Sequence, residues 1–556
     1  MIAHRKFLNK RNLIIAALFV VFLFLRLFVD SSSVLLAADH LKYLETSKNF
    51  PYHKLYNDQL YLFHPPFYPY TIHLFTLIFQ EDTIAAVLLS LISAIVTFFV
   101  LYKFFMMLTN FNITFFVLVF YTLSVAFINS ATAILRESFV VMLILLSIYY
   151  YVKGIKFNEK KPLIIATIIG SFLALASDHV VFLFPAFILS YIFFNSKKIN
   201  LKKLNFPNLK YIAIPIIILF IFYSSWNAVK FYQYSTNEYY TNGVEGTPLS
   251  THDLGLMQLI SPHYFEDFSG PYISPGLLSF PKKLAFQFGY MFNIEPFSIP
   301  LGLNFSTMSY LLFPRHVAYM FLIYLPLALI ALFGFFTIIK DFIKTRRIYN
   351  NVNLYMMGLF FIFLIPITQQ FVSPRYIYTS YIFLFYFISF GIYALFMKKE
   401  SLQNYSKLLV IVILLFLLIP FWFIYNGNFV LFNKNAFGAH NTADFINNNL
   451  DKGDAIMAQP GYSVQLNYLT EQRTLGLYPK PEKLPYLIDY YNASYIVFGK
   501  RYTYDVAHFS IDTVEYVKSN PDKFELIASV QEDYSDFYVE EDLASADEVY
   551  IYKIKK

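Results

Sequence analysis

Four polar constellations interrupt an otherwise apolar chain, and each holds residue types that can do chemistry. The first is a loop that opens with Asp39-His40, runs through Tyr43 and closes with His64-Pro65-Pro66-Phe67. The others are Arg136-Glu137-Ser138, Asp178-His179 and Arg375-Tyr376. Carboxylates such as Asp39 and Glu137 can take a proton from a hydroxyl. Arg136, Arg375 and His64 can hold a phosphate as it leaves, through charge-assisted hydrogen bonds. Asp39, Glu137, Asp178 and a nearby His would also make an oxygen and nitrogen set open to a divalent cation, although no DxD spacing supports one. No other cofactor is indicated. With no cysteine in 556 residues, thiolate metal sites, disulfides and a cysteine nucleophile are excluded.

Membrane helices must position these groups. The chain is 57% hydrophobic and 14% charged, with a mean hydropathy of +0.50, against about 25% charged for an average soluble domain. Its apolar residues gather in runs close to the roughly 20 that a helix needs to cross a bilayer. Eleven spans are predicted, at about 12–29, 83–107, 113–128, 134–151, 163–176, 180–194, 211–228, 317–339, 354–370, 376–397 and 408–425. The stretch 65–79 is short and opens on two prolines, so it reads as a helix lying at the interface. Lys and Arg crowd alternate connections, at 5–11, 153–161, 197–210, 340–347 and 398–407. Positive charge near span ends stays cytoplasmic, which puts the N-terminus inside and all four constellations on the outer face of the plasma membrane. The first span carries Arg26 and no obvious cleavage site, so it reads as a retained span, with Arg26 structural.

From Phe437 onward 19 acidic side chains face 11 basic ones, a net of −8, so the +7 of the whole chain leaves +15 on the preceding residues. A basic membrane body with an acidic tail carries no nucleic-acid footprint. In the tail the period changes: helices at 441–449, 481–491 and 511–519 alternate with strands at 454–458, 474–478, 494–499, 524–530 and 548–554, and 462–468 reads as helix or loop. The expected fold class is a mainly α polytopic membrane protein, residues 1–430, with a small C-terminal α/β soluble domain, residues 431–556, outside the membrane. No glycine-rich phosphate loop occurs in that tail.

The order of these motifs resembles the membrane glycosyltransferases of the GT-C type, in particular the dolichyl-phosphate-mannose protein mannosyltransferases and the aminoarabinose lipid A transferases. Asp39-His40 stands where that group has Asp-Glu, and His64-Pro65-Pro66-Phe67 matches HPPL or KPPL. Ile134-Leu135-Arg136-Glu137-Ser138 matches ILLDS, and Arg375-Tyr376 matches an RY that opens a late span. A lysine common between spans five and six is replaced by Asp178-His179, which leaves a phosphate contact missing there. The likeness covers residues 12–194 and afterwards the architecture alone.

This resemblance implies an inverting transfer of a sugar from a polyprenyl or dolichyl phosphate to a hydroxyl on an acceptor protein, glycan or lipid. Asp39 would be the general base, with Glu137 supporting it or orienting the acceptor. His64, Arg136 and Arg375 would bind the donor phosphate, and His40, Tyr43, Asp178, His179 and Tyr376 would contact substrate.

Blander roles compete. Asp39 could cap a helix, Arg136 and Glu137 could pair only with each other, and Arg375 could be a snorkelling anchor. A transporter or flippase of lipid-linked saccharides is the alternative function, but such proteins bury polar groups at mid-bilayer and often carry repeats, whereas these spans are clean in their middles. An oligosaccharyltransferase catalytic subunit shares the architecture, yet its WWDYG motif is absent, the two tryptophans being Trp226 and Trp422.

Overall fold

The computed structural model describes residues 2–27, 38–52, 65–132, 134, 136–195, 209–236, 325–346, 348, 351–365, 378–397, 440–451, 453–458, 466, 469–470, 472–476, 481–499, 511–532 and 547–555. The predicted span at 408–425, the ends of those at 317–339 and 354–370, the tail segment 462–468 for the most part, and nearly all of the long outer loop lie outside these residues.

The membrane part is a helix bundle. It runs α1 (Ile2–Leu27), α2 (Ala38–Lys48), α3 (Phe67–Phe79), α4 (Asp82–Leu108), α5 (Phe111–Leu123), α6 (Val125–Thr132), α7 (Glu137–Phe157), α8 (Lys160–Ala174), α9 (Leu183–Asn195) and α10 (Lys210–Thr236). It continues with α11 (Leu325–Thr345), α12 (Val352–Leu364) and α13 (Tyr378–Ile392), the last closed by a π turn at Tyr393–Met397. Among the described residues six helical segments are long and apolar enough to cross a membrane, so the chain is a multi-pass membrane protein. Helix α3 has 13 residues, a rise of about 20 Å, too short to cross and in keeping with an interfacial position. Its first turn is tied down: the Tyr70 hydroxyl donates to the Pro51 carbonyl at 2.6 Å and the Phe67 amide donates to the Leu175 carbonyl at 2.8 Å.

One predicted span, 113–128, is two helices. The chain leaves helical geometry at Ser124 between α5 and α6, which frees backbone carbonyls inside the bundle, where no lipid can satisfy them. Arg26 supplies the donors. Its guanidinium bonds the carbonyls of Tyr121 (3.2 Å), Thr122 (3.3 Å) and Phe22 (3.4 Å) and lies over the Phe22 ring. A buried intramembrane charge thus closes a helix break, the structural role expected of it. Elsewhere, α11 and α13 cross at glycines. A Cβ added to Gly334 would strike the Phe387 carbonyl, and one added to Gly391 would strike the Ile330 carbonyl, the close backbone approach that small residues permit in membranes.

The C-terminal residues form α14 (His440–Asn449), β1 (Ala455–Ala458), β2 (Thr474–Gly476), α15 (Leu484–Tyr491), β3 (Ala493–Gly499), α16 (Ile511–Ser519), β4 (Phe524–Glu532) and β5 (Asp547–Ile554). The sheet order is β2-β1-β3-β5-β4, with β1 parallel to β2 and β3 and the remaining pairs antiparallel. Alternation along β3 sends Ile496 and Phe498 to a cluster with Leu487 and Val517, and Tyr495 and Val497 to another with Ile446. Both faces are therefore covered by helices. The Glu532 carboxylate accepts from the amides of Asn441 and Thr442 at 3.1 and 2.7 Å, satisfying the open N-terminus of α14.

Candidate functional site

Polar groups converge where α7 begins, where α8 passes into α9, and where α13 begins. Arg136 immediately precedes α7 and Glu137 occupies its first turn, and both are buried, at 7% and 6% exposure. Helix α8 ends at Ala174, leaving terminal carbonyls that need donors. The Arg136 Nη1 donates to the Ala176 carbonyl at 3.4 Å, next to the Leu175 carbonyl that accepts from α3. The backbone geometry that stops α8 thereby anchors the guanidinium. Ser138 is spent on structure: its hydroxyl bonds the Ser130 carbonyl at 2.8 Å and the Ser130 hydroxyl at 3.0 Å, locking α6 against α7.

Ser177 caps the 3-10 turn Asp178–Phe182, its hydroxyl accepting from the His179 amide at 3.2 Å and lying 2.8 Å from His179 Nδ1. This fixes the imidazole at the rim of a small cleft. Arg136, Glu137, Val140, Val141, Ser177, His179 and Thr379 line a space of 10 Å³, about the room of one water. Asp178 turns to a different partner. Its Oδ2 lies 3.8 Å from Lys230 Nζ, and the lysine is almost fully buried, at 2% exposure. The other carboxylate oxygen, Oδ1, is buried without a hydrogen-bond partner.

The apolar run in the sequence places the end of the seventh span at residue 228 and Lys230 in a loop. Helix α10 instead continues to Thr236 and carries Lys230 inward. A cation from α10 thus stands at the position between the fifth and sixth spans where the motif comparison lacked one. The apolar pattern running on past Ala228 through Val229, Phe231 and Tyr232 was the available signal.

The site extends toward α2 through aromatic rings. Tyr43 packs edge-on against Tyr68 at 5.1 Å, and Tyr68 packs on Phe139 of α7 at 5.6 Å. Burial raises the Tyr68 phenol above its ordinary pKa; the nearby Glu137 carboxylate adds to this and Arg136 opposes it. Tyr43 is therefore next to the cluster. Asp39 lies in the first turn of α2, four residues before Tyr43 and one helical turn away. The side chains of Asp39 and His40, and the residues His64, Arg375 and Tyr376, lie outside what the structure describes. Among the described residues no three His, Asp or Glu side chains gather in a way that could hold a metal ion.

Residues 63–226 match the family model described as dolichyl-phosphate-mannose-protein mannosyltransferase. The fold is similar to that of ArnT from Cupriavidus metallidurans bound to undecaprenyl phosphate, with a TM-score of 0.54, 10% identity and 98% of each chain covered. ArnT in the apo state matches equally in TM-score, at 9% identity. An oligosaccharyltransferase from Archaeoglobus fulgidus, solved as a complex with Zn and sulfate, also has a TM-score of 0.54 at 10% identity, covering 87% of this chain and 68% of its own. No curated protein matches the sequence. The resemblance read from the motifs holds: the chain has the GT-C type fold and resembles the mannosyltransferase and ArnT group of membrane glycosyltransferases.

Proposed function

We propose that the protein transfers a sugar from a polyprenyl or dolichyl phosphate to an acceptor hydroxyl at the outer face of the membrane, with inversion. The observation that carries this reading is the buried Arg136–Glu137 pair of residues in one cleft with His179, inside the segment that matches the mannosyltransferase family. Fold likeness to an ArnT solved with undecaprenyl phosphate supports a lipid phosphate as the carrier.

The acceptor oxygen attacks the anomeric carbon opposite the phosphate, and the bond from that carbon to the phosphate oxygen breaks. Asp39 takes the hydroxyl proton as the new bond forms. The departing lipid phosphate gains negative charge, which Arg136 stabilises with His64 and Arg375. Glu137 orients the acceptor, and Tyr43 and His179 border the sugar. Lys230 offsets the negative charge of Asp178, so that this carboxylate does not oppose the lipid phosphate.

The test is incubation of purified protein with several polyprenyl-phosphate sugars, followed by mass spectrometry of donor and acceptor. Asp39→Asn keeps the shape of the side chain but cannot accept the proton, so transfer should fall by about 10² to 10⁴ while donor binding persists. Transfer within a few-fold of wild type in a folded Asp39→Asn protein would move the base to Glu137.

A further inference from the structure

A second concavity lies away from this cleft, between α8 and α10. The two helices run parallel and in step: a Cβ on Gly170, ten residues into α8, would meet Leu219, nine residues into α10. Beside that contact the two helices border a groove of 520 Å³, walled by Ile164, Ile168 and Phe172 on one side and by Pro215, Ile218 and Phe222 on the other. The wall is nearly all apolar. Its charged residues, Lys160 and Lys210, are the first residues of the two helices and so sit together at one end. No acidic side chain is among the described residues that line it.

We propose that this groove binds a phospholipid with a negatively charged head group, the phosphate held between Lys160 and Lys210 and an acyl chain laid along the apolar walls. From Lys160 to Phe172 the groove spans twelve residues, a rise of about 18 Å, close to one leaflet's share of a hydrocarbon core about 30 Å thick. The polar end lies at the helix starts, whereas the sugar-transfer cleft borders the far end of α8, where Arg136 bonds the Ala176 carbonyl. A donor carrier with its phosphate in that cleft would bring only hydrocarbon to the lysines. Two lysines ending an apolar channel one leaflet long match a head group of the opposite leaflet.

The experiment is native mass spectrometry of the full chain in neutral detergent, titrated with phosphatidylglycerol or phosphatidylcholine of identical chains. One phosphatidylglycerol should bind with a preference of about 30-fold, each lysine near the membrane surface supplying a factor of about five. Lys160→Gln with Lys210→Gln should abolish the preference, while Lys340→Gln with Lys344→Gln, an equal charge change off the groove, should preserve it. Ile168→Trp should fill the groove and weaken both lipids with the lysines intact. Equal binding of the two lipids, a preference that survives the groove variants, or one lost equally in the Lys340 and Lys344 control would overturn the proposal. Displacement of phosphatidylglycerol by undecaprenyl phosphate, with the same dependence on Lys160 and Lys210, would also overturn it and give the groove to the polyprenyl carrier.

Discussion

Replacing Lys230 by Met removes the ammonium but keeps most of the apolar stem. At 3.8 Å, two unit charges attract by about 4 kcal/mol at an effective dielectric constant near 20. The 22% exposure of the Asp178 side chain lets water compensate part of this, so a net loss of about 2–3 kcal/mol is expected, below the 3–5 typical of a fully buried pair. The carboxylate is then left beside an already unpartnered Oδ1. Removing that charge as well, in Lys230→Met with Asp178→Asn, should recover at least about 1 kcal/mol, since coupled neighbours depart from additivity by about 0.5–3 kcal/mol. Apparent unfolding midpoints in one detergent at one scan rate provide the assay, because membrane proteins often unfold irreversibly. Donor binding should weaken in Lys230→Met, which leaves the Asp178 carboxylate uncompensated near the cleft, and should recover in the double variant. Additive midpoint losses in the double variant would show that the pair carries no coupling and refute the argument.

Three further outcomes follow from other parts of the molecule. Gly391→Ala should cost about 1–3 kcal/mol by forcing α11 and α13 apart at a backbone carbonyl; Gly170→Ala, where only the end of the Leu219 side chain must yield, should cost less, and equal midpoint shifts would contradict this. In the C-terminal sheet, burial raises the pKa of Tyr495, helped by Asp454 and Asp451, and burial raises that of Tyr552. These phenols stay protonated when folded after their unfolded counterparts ionise, so their contribution is complete below about pH 10 and is lost as pH rises toward the raised folded values; a Tyr495→Phe and Tyr552→Phe variant should lose less stability over that interval. Reporters fused after Lys344 and after Asp451 should read cytoplasmic and external respectively, and an internal reading at Asp451 would reverse the proposed sidedness.

Much of this molecule is legible without coordinates because the bilayer is an unforgiving solvent. A run of apolar residues long enough to cross hydrocarbon has few alternatives to a helix, so α4, α7 and α10 begin within three residues of their expected starts. Short-range rules also place the strands at 455–458, 493–499 and 547–554, since short apolar runs bounded by polar turn residues mark them locally. Charges near span ends pointed to Arg136, Glu137 and His179 as one group, and the fold brings these into one cleft. Tertiary structure alone decided the rest. Nothing local tells that α5 must break at Ser124, that Arg26 lies close enough to close the break, or that Lys230 meets Asp178 52 positions earlier in the chain. Such pairings depend on which helix faces cross, and at low identity many apolar sequences satisfy the same crossing. Hydropathy records how strongly each segment prefers lipid to water; it does not record which buried carbonyl or carboxylate awaits a distant cation.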